Sequence, residues 1–205
     1  MDDLVYTTIT PALCKPVAEL LASCFPGYAP SEKYLIADLD QIADLFAEGT
    51  IMVLDEARVA GVGTGIFVDV DPDNLPPTEN ELLDDENGTL HSINGSHYFG
   101  GALAVDPEYR NQGIARQLYD RRKEVVIRHN KKGFYAASLI PGYSQHQSET
   151  TVDAYVDHVI AREIFDPVLT VQLNNDFHVV KLLEGFVCSP GSHNWSALIY
   201  WGNPG

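Results

Sequence analysis

The stretch from Tyr98 to Asn130 constrains the fold more than any other part of the chain. Tyr98 to Val105 is a mostly apolar run that predicts a strand, Asp106-Pro107-Glu108-Tyr109 reads as a tight turn, and Ile114 to about Asn130 has helical spacing. On that helix Ile114, Leu118 and Val125 share one stripe, with most of the basic residues off it. A strand, a short turn and a helix start present unpaired backbone N–H groups to one point in space, and the helix dipole favours negative charge there. The residues at the junction, Arg110-Asn111-Gln112-Gly113-Ile114-Ala115, suit an anion. Gly113 lets the backbone come close to a ligand, Ala115 keeps the first turn uncrowded, and Arg110 and Arg116 can bond phosphate oxygens. A nucleotide P-loop is excluded, because no GxxxxGK[ST] occurs.

The flanking elements alternate between the two periods. Val5 to Ile9 predicts a strand. Thr10-Pro11 opens a helix running to about Phe25, and Ser31 is the expected N-cap of a second, amphipathic helix ending at Gly49. Ile51–Leu54 and Val59–Val70 predict two strands joined at Glu56-Ala57-Arg58. Gly61, Gly63 and Gly65 lie inside the second strand, where they imply close approach of another backbone or a ligand. They are not a dinucleotide fingerprint, since the spacing is not GxGxxG and no helix follows. Residues 71–97 read as an acidic loop insertion. Phe134–Leu139 predicts a strand, Thr151 to Arg162 a helix, Asp166-Pro167 the cap and first residue of a short helix to Asn174, and Phe177–Leu183 and Ser196–Trp201 two closing strands. The expected class is mixed α/β (α+β): one domain over residues 1–205, with a mostly antiparallel central sheet and helices on both faces.

Charge narrows the partners. A net charge of -16 argues against nucleic acid and anionic membranes, which need a basic face. Yet eight of the 13 Lys and Arg lie between Arg110 and Lys132, and eight carboxylates with no Lys or Arg lie between Asp69 and Glu86. One compact anion site and one cation-attracting surface are expected. No HExxH or cysteine pair is present, so no metal site is expected. Without a leader or a long apolar run, and with three cysteines that lack CxxC spacing, the expectation is a cytoplasmic protein.

The segment ALAVDPEYRNQGIARQLYDRR resembles the acetyl-CoA-binding motif of the GNAT superfamily of N-acetyltransferases. It departs from the usual pattern at Asn111 and Ala115, where glycine is usual; Asn accepts left-handed backbone angles, and alanine is an accepted variant. A narrower resemblance runs through LFAEGTIMVLDEARVAGVGTGIFVDVD, LHSINGSHYFGG, IPGYSQH and YVDHVIAREIFDPVLTVQLNNDFHVVKLLEGFV, closing on LIYWGNP. It is to the branch often fused to a nitrilase-type carbon-nitrogen hydrolase, and no hydrolase follows in this sequence.

The resemblance implies acetyl-CoA as co-substrate. The pantetheine arm would pair with Leu103, Ala104 and Val105, whose strand also supplies the N–H for the thioester carbonyl, and the pyrophosphate would sit on Gln112, Gly113, Ile114 and Ala115. The acceptor would be a small or peptidyl primary amine, cationic if the acidic loop steers it. The family's usual tyrosine acid falls here on Gln172, so Tyr143 is the substitute candidate acid, and His97 and His91 are the candidate bases. Two alternatives stay open: a catalytically silent acyl-CoA sensor, and a module that docks a nitrilase-like partner. A homodimer is the remaining partner expectation.

Overall fold

In the computed structural model seven strands form one sheet in the order β1-β2-β3-β4-β5-β7-β6. They are β1 (Val5–Thr8), β2 (Ile51–Asp55), β3 (Arg58–Val68), β4 (His97–Val105), β5 (Gly133–Leu139), β6 (His178–Glu184) and β7 (Trp195–Gly202). The structure describes residues 4–26, 36–83 and 91–205. Every neighbouring pair is antiparallel except β4 and β5, which run parallel and are joined by a helical crossover, as parallel strands require. The fold is therefore the mixed, mostly antiparallel one expected from the pattern of periods.

Among the described residues six α-helices surround the sheet: α1 (Pro11–Cys24), α2 (Ile36–Phe46), α3 (Glu79–Leu83), α4 (Ile114–Arg128), α5 (Val152–Ile160) and α6 (Leu169–Leu173). One face packs α1 and α2 through Val17, Leu21, Leu39 and Ile42 onto Met52, Val62 and Ile66. The other packs α4, α5 and α6 through Leu118, Val125, Val156 and Leu169 onto Val53, Phe67, Phe134 and Ile199. Thr10 stands at the N-cap of α1 with Pro11 at its first turn, but its hydroxyl makes no capping bond. The Ser31 cap lies outside the described residues.

Two expectations need correction, and a third holds with two exceptions. The acidic segment is not a bare loop: α3 lies in it, and Val70, Leu75, Leu82 and Leu83 pack against Phe99, Phe186 and Leu198. Apolar residues spaced among the carboxylates cover a sheet face that would otherwise meet water. Most basic residues of α4 do lie off its buried stripe, but Arg122 and Lys123 are buried, their aliphatic stems filling space against the sheet. And of the glycines of β3 only Gly61 has another backbone close by, Ala104 O at 3.2 Å from its Cβ position, whereas Gly63 and Gly65 make room for side chains. A Cβ on Gly65 would collide with the Tyr98 ring, whose hydroxyl donates to Gly49 O at 2.6 Å, and one on Gly63 would stand 2.9 Å from Arg122 Nε.

Asp166 ties the C-terminal helices together. It is fully buried, and its carboxylate accepts from the N–H groups of Val168 and Leu169 at 2.8 Å, of Gly142 at 3.0 Å and from the Tyr155 hydroxyl at 2.8 Å. The expected cap at Asp166 is thus also the joint between α5, α6 and the turn after β5. Removing it strands four donors in a dry interior. Asp166→Ala should lower stability by about 3 kcal/mol, roughly 10 °C in melting temperature, with Asp166→Asn losing less. Thermal denaturation of the three proteins measures this.

His91 packs parallel to the Phe46 ring at 4.3 Å, and its Nδ1 accepts the Phe67 N–H at 3.0 Å. Burial, then the charges of Lys131 and His129, push its pKa down to about 4. Between about 6.5 and 4 the unfolded chain therefore takes up a proton that the folded chain refuses, so stability is full above the upper value and falls as pH drops through the window. Burial pushes His97 in the same direction. The melting temperature should decline from pH 6.5 to 4, and His91→Gln should flatten the decline without abolishing it.

Candidate functional site

The site begins where two strands part. β4 and β5 are paired only at Tyr98–Phe134, Phe99–Tyr135 and Gly100–Ala136. Beyond Gly100, β4 keeps β3 on one side and has no strand on the other. The register between β3 and β4 slips between Gly63 and Gly65, which leaves one extra residue in β4. Such a bulge bends and twists its strand, here away from β5.

Alternation then decides which peptide groups face the gap. The Asp106 N–H donates to Ala60 O, and Ala102 O accepts from the Thr64 hydroxyl, so the even-numbered residues of β4 turn their peptide groups to β3. The peptide groups of Leu103 and Val105 face the opening, while Ala104 faces β3. Val105 O already accepts from Arg110 Nε at 3.1 Å and from the Cys24 thiol.

At the outer end of β4 the turn is braced by Arg58, which pairs with Asp106 at 2.7 Å and with Glu108, and lies over the Tyr109 ring. Asn111 has φ 61° and Gly113 has φ 79°, both in the left-handed region. Asn tolerates that region and glycine is free in it, which explains how a chain without the usual first glycine still makes the turn. Nothing lies within 4 Å of the position a Cβ on Gly113 would take. The first N–H groups of α4 open there onto free space, with the exposed Arg116 on the same turn.

One cavity of about 530 Å³ joins these parts. It runs from Arg110, Asn111 and the first turn of α4, past Leu103 to Val105, to the vertex of the gap at Gly101 and Ala136. Cys24 and Phe25 at the end of α1 close one side, and Pro167, Val171 and Gln172 of the α6 region close another. Its run from the helix start to the parted strands and its apolar middle suit a slender ligand with an anionic end. The residues present fit the coenzyme that the sequence motif implies: donors at one end, strand peptide groups along the arm, and glycine where backbone must approach.

The inner end of the cavity holds a polar cluster that sequence reasoning missed, Tyr119 and Arg122 of α4 facing Gln172 of α6. Arg122 is 1% exposed and its guanidinium lies 4.8 Å from the Tyr119 ring centre and 5.1 Å from that of Phe134. Burial raises the Tyr119 pKa, against the opposing charge of Arg122 and the Gln172 and Arg122 side chains beside its hydroxyl. The signal was present in the sequence as helical spacing, since Ile114, Leu118 and Arg122 lie on one stripe with Tyr119 beside it, but an arginine at such a position reads as solvated.

The other sequence candidates lie elsewhere. Tyr143 sits in the 3-10 turn after β5, its ring 5.5 Å from that of Tyr155, and does not line the cavity. His97 is the first residue of β4 and is buried against Tyr135 and Tyr200. Six residues separate it from Leu103, roughly 20 Å of strand. His91 stacks among Phe46, Phe67 and His129 just past the C-terminal end of α4, the opposite end from Gly113. Neither histidine lines the cavity, and among the described residues its lining contains no imidazole or carboxylate. Among the described residues no cluster suits a metal ion and no helix is long and apolar enough to cross a membrane.

Comparison with known proteins points the same way. The chain is 29% identical over 189 residues to the Bacillus subtilis protein named "Probable hydrolase YhcX", an alignment that takes in 91% of this chain and 36% of that protein. It thus spans little more than a third of that relative's length. It is 26% identical over 187 residues to "Uncharacterized N-acetyltransferase YkwB" of the same organism, covering 90% of this chain and 82% of that one. Among solved structures, one described as "GphF GNAT-like decarboxylase in complex with isobutyryl-CoA" superposes with a TM-score of 0.79 at 19% identity, over 97% of this chain and 99% of that chain, which is a likeness of fold. The acetyltransferase (GNAT) family profile matches residues 14–141, a stretch that holds the bulged strand, the turn and the helix start described above, and the chain belongs to that family.

Proposed function

We propose that the protein is an N-acyltransferase that moves an acyl group, in the simplest case acetyl, from acyl-coenzyme A to a primary amine by direct attack. The observation that supports this best is the single cavity that joins the helix N-terminus at Gly113 to the parted strands at Leu103. The pyrophosphate takes the N–H groups of the Gln112–Ala115 segment with help from Arg110 and Arg116, and the pantetheine arm lies along Val105 and Leu103 as an added strand.

The thioester carbonyl then accepts the Leu103 N–H. The amine lone pair attacks the carbonyl carbon and forms the C–N bond, the same N–H holds the tetrahedral oxyanion, and collapse restores the carbonyl and breaks the C–S bond. The leaving thiolate takes a proton from Tyr119, a phenol that burial keeps protonated at neutral pH. The ammonium proton of the acceptor passes to water, since no imidazole or carboxylate lines the cavity among the described residues, and water returns a proton to the Tyr119 phenolate. A lysine-like amine has a pKa near ~10.4, so turnover rises with pH across the neutral range. The carboxylates of the Asp69–Glu81 region favour a cationic acceptor by steering.

A second reading, an acyl-CoA-binding domain without turnover, is favoured by one observation. Gln172 occupies the position where the family usually carries its tyrosine acid, and no ionisable side chain of α6 lines the cavity. Thiol release from acetyl-CoA across a panel of primary amines separates the two, because the enzyme releases thiol with at least one amine and the silent domain with none.

Arg110→Ala should weaken coenzyme A binding about tenfold, the worth of one exposed charge-assisted bond, and Gly113→Val should weaken it further by closing the space at the helix start. Calorimetric titration measures both. Tyr119→Phe should lower kcat about 100-fold while leaving acetyl-CoA affinity unchanged. If instead kcat is unaltered, the proton donor is not Tyr119.

A further inference from the structure

Arg122 is a buried cation that the protein does not neutralise. Its Nε donates to Leu118 O and its Nη1 to Thr64 O, both at 3.3 Å, and its Nη2 has no hydrogen-bond partner. No ion pair among the described residues includes it. Two neutral carbonyls, the Tyr119 hydroxyl beside it and two aromatic faces soften the cost of taking a guanidinium out of water, yet a buried charge is normally paired with an opposite one.

The fold makes room for this side chain on purpose. A Cβ on Gly63 would meet Nε at 2.9 Å, and one on Gly100 would meet Nη1 at 3.2 Å. Gly100 is the last residue of β4 that pairs with β5, so the guanidinium lies at the vertex of the gap, and Arg122 lines the cavity there. It is eight residues into α4, about 12 Å along the axis from the helix start, beyond reach of a pyrophosphate bound at the first turn. Whatever anion it awaits belongs to the other end of the ligand.

We propose that the acyl chain this protein accepts ends in a carboxylate, and that Arg122 holds it. The inference rests on the acyl-coenzyme A reading above and extends it to the acyl group. Leu103 and Gly100 are three residues apart, less than about 10 Å along a bulged strand. A carbonyl bonded at Leu103 leaves an acyl chain of roughly two to four carbons room to bring its far carboxylate to the free Nη2, where a guanidinium–carboxylate pair forms its best hydrogen bonds. The charge of the lining agrees: it contains Arg110, Arg116 and Arg122 and, among the described residues, no carboxylate to repel such a group.

The experiment is calorimetric titration of the protein with free coenzyme A, acetyl-, butyryl-, malonyl- and succinyl-CoA, repeated with Arg122→Gln and Arg122→Lys after their melting curves are recorded. At least one carboxylated thioester should bind ten or more times tighter than butyryl-CoA, a preference of about 1.4 kcal/mol, and Arg122→Gln should erase it while coenzyme A and acetyl-CoA bind as before. Arg122→Lys should keep part of the preference. Equal affinity for butyryl-, malonyl- and succinyl-CoA in the unaltered protein overturns the inference without any variant, as does a preference that survives Arg122→Gln. If free coenzyme A binds normally in that case, the acyl-coenzyme A reading stands and only the carboxylate is lost; if coenzyme A does not bind at all, both fall.

Discussion

The parting of β4 from β5 after Gly100 is the constraint on which the rest of the structure depends. A parallel pair is ordinarily buried and continuous, so ending it after three paired positions leaves strand peptide groups without partners inside the domain. The bulge opposite Gly63 and Gly65 turns β4 away, α4 and α6 line the opening from one face of the sheet, and the gap becomes a cavity rather than a defect. Leu103 and Val105 are thereby left with peptide groups that a ligand can satisfy.

The helix after the gap serves both of its ends. Its start, with Asn111 and Gly113 in left-handed conformations, turns backbone donors outward. Eight residues further, Arg122 is buried under the vertex with Tyr119 beside it. Placing a cation there is costly, and the glycines at positions 63 and 100 are what make it sterically feasible. The two ends of the cavity thus come from one rigid element, so their separation is set by helix geometry and not by a loop.

Much of this was legible beforehand. Period-2 runs located the strands, period-3.6 runs located the helices, and Arg110 to Ala115 located the turn and helix start that line one end of the cavity, because each of those signals is local. What the sequence could not rank was proximity. Tyr143, His91 and His97 were singled out by residue chemistry and nearness to predicted strand ends, and the fold takes all three away from the cavity. Tyr119 and Arg122 were read as part of a basic helix, since nothing local distinguishes an arginine over a sheet vertex from one in water.

The sequence by itself determined the order of elements, the mixed sheet, the family and the turn and helix start at one end of the cavity, all of which follow from periodicity, turn chemistry and a contiguous motif. Only the tertiary structure decided what lies at the other end of that cavity. The vertex is assembled from Gly63, Gly100, Tyr119, Arg122 and Gln172, residues on two strands and two helices that meet because a bulge displaces β4 and a crossover brings β5 alongside it. A long-range juxtaposition of that kind leaves no spacing in the chain to read.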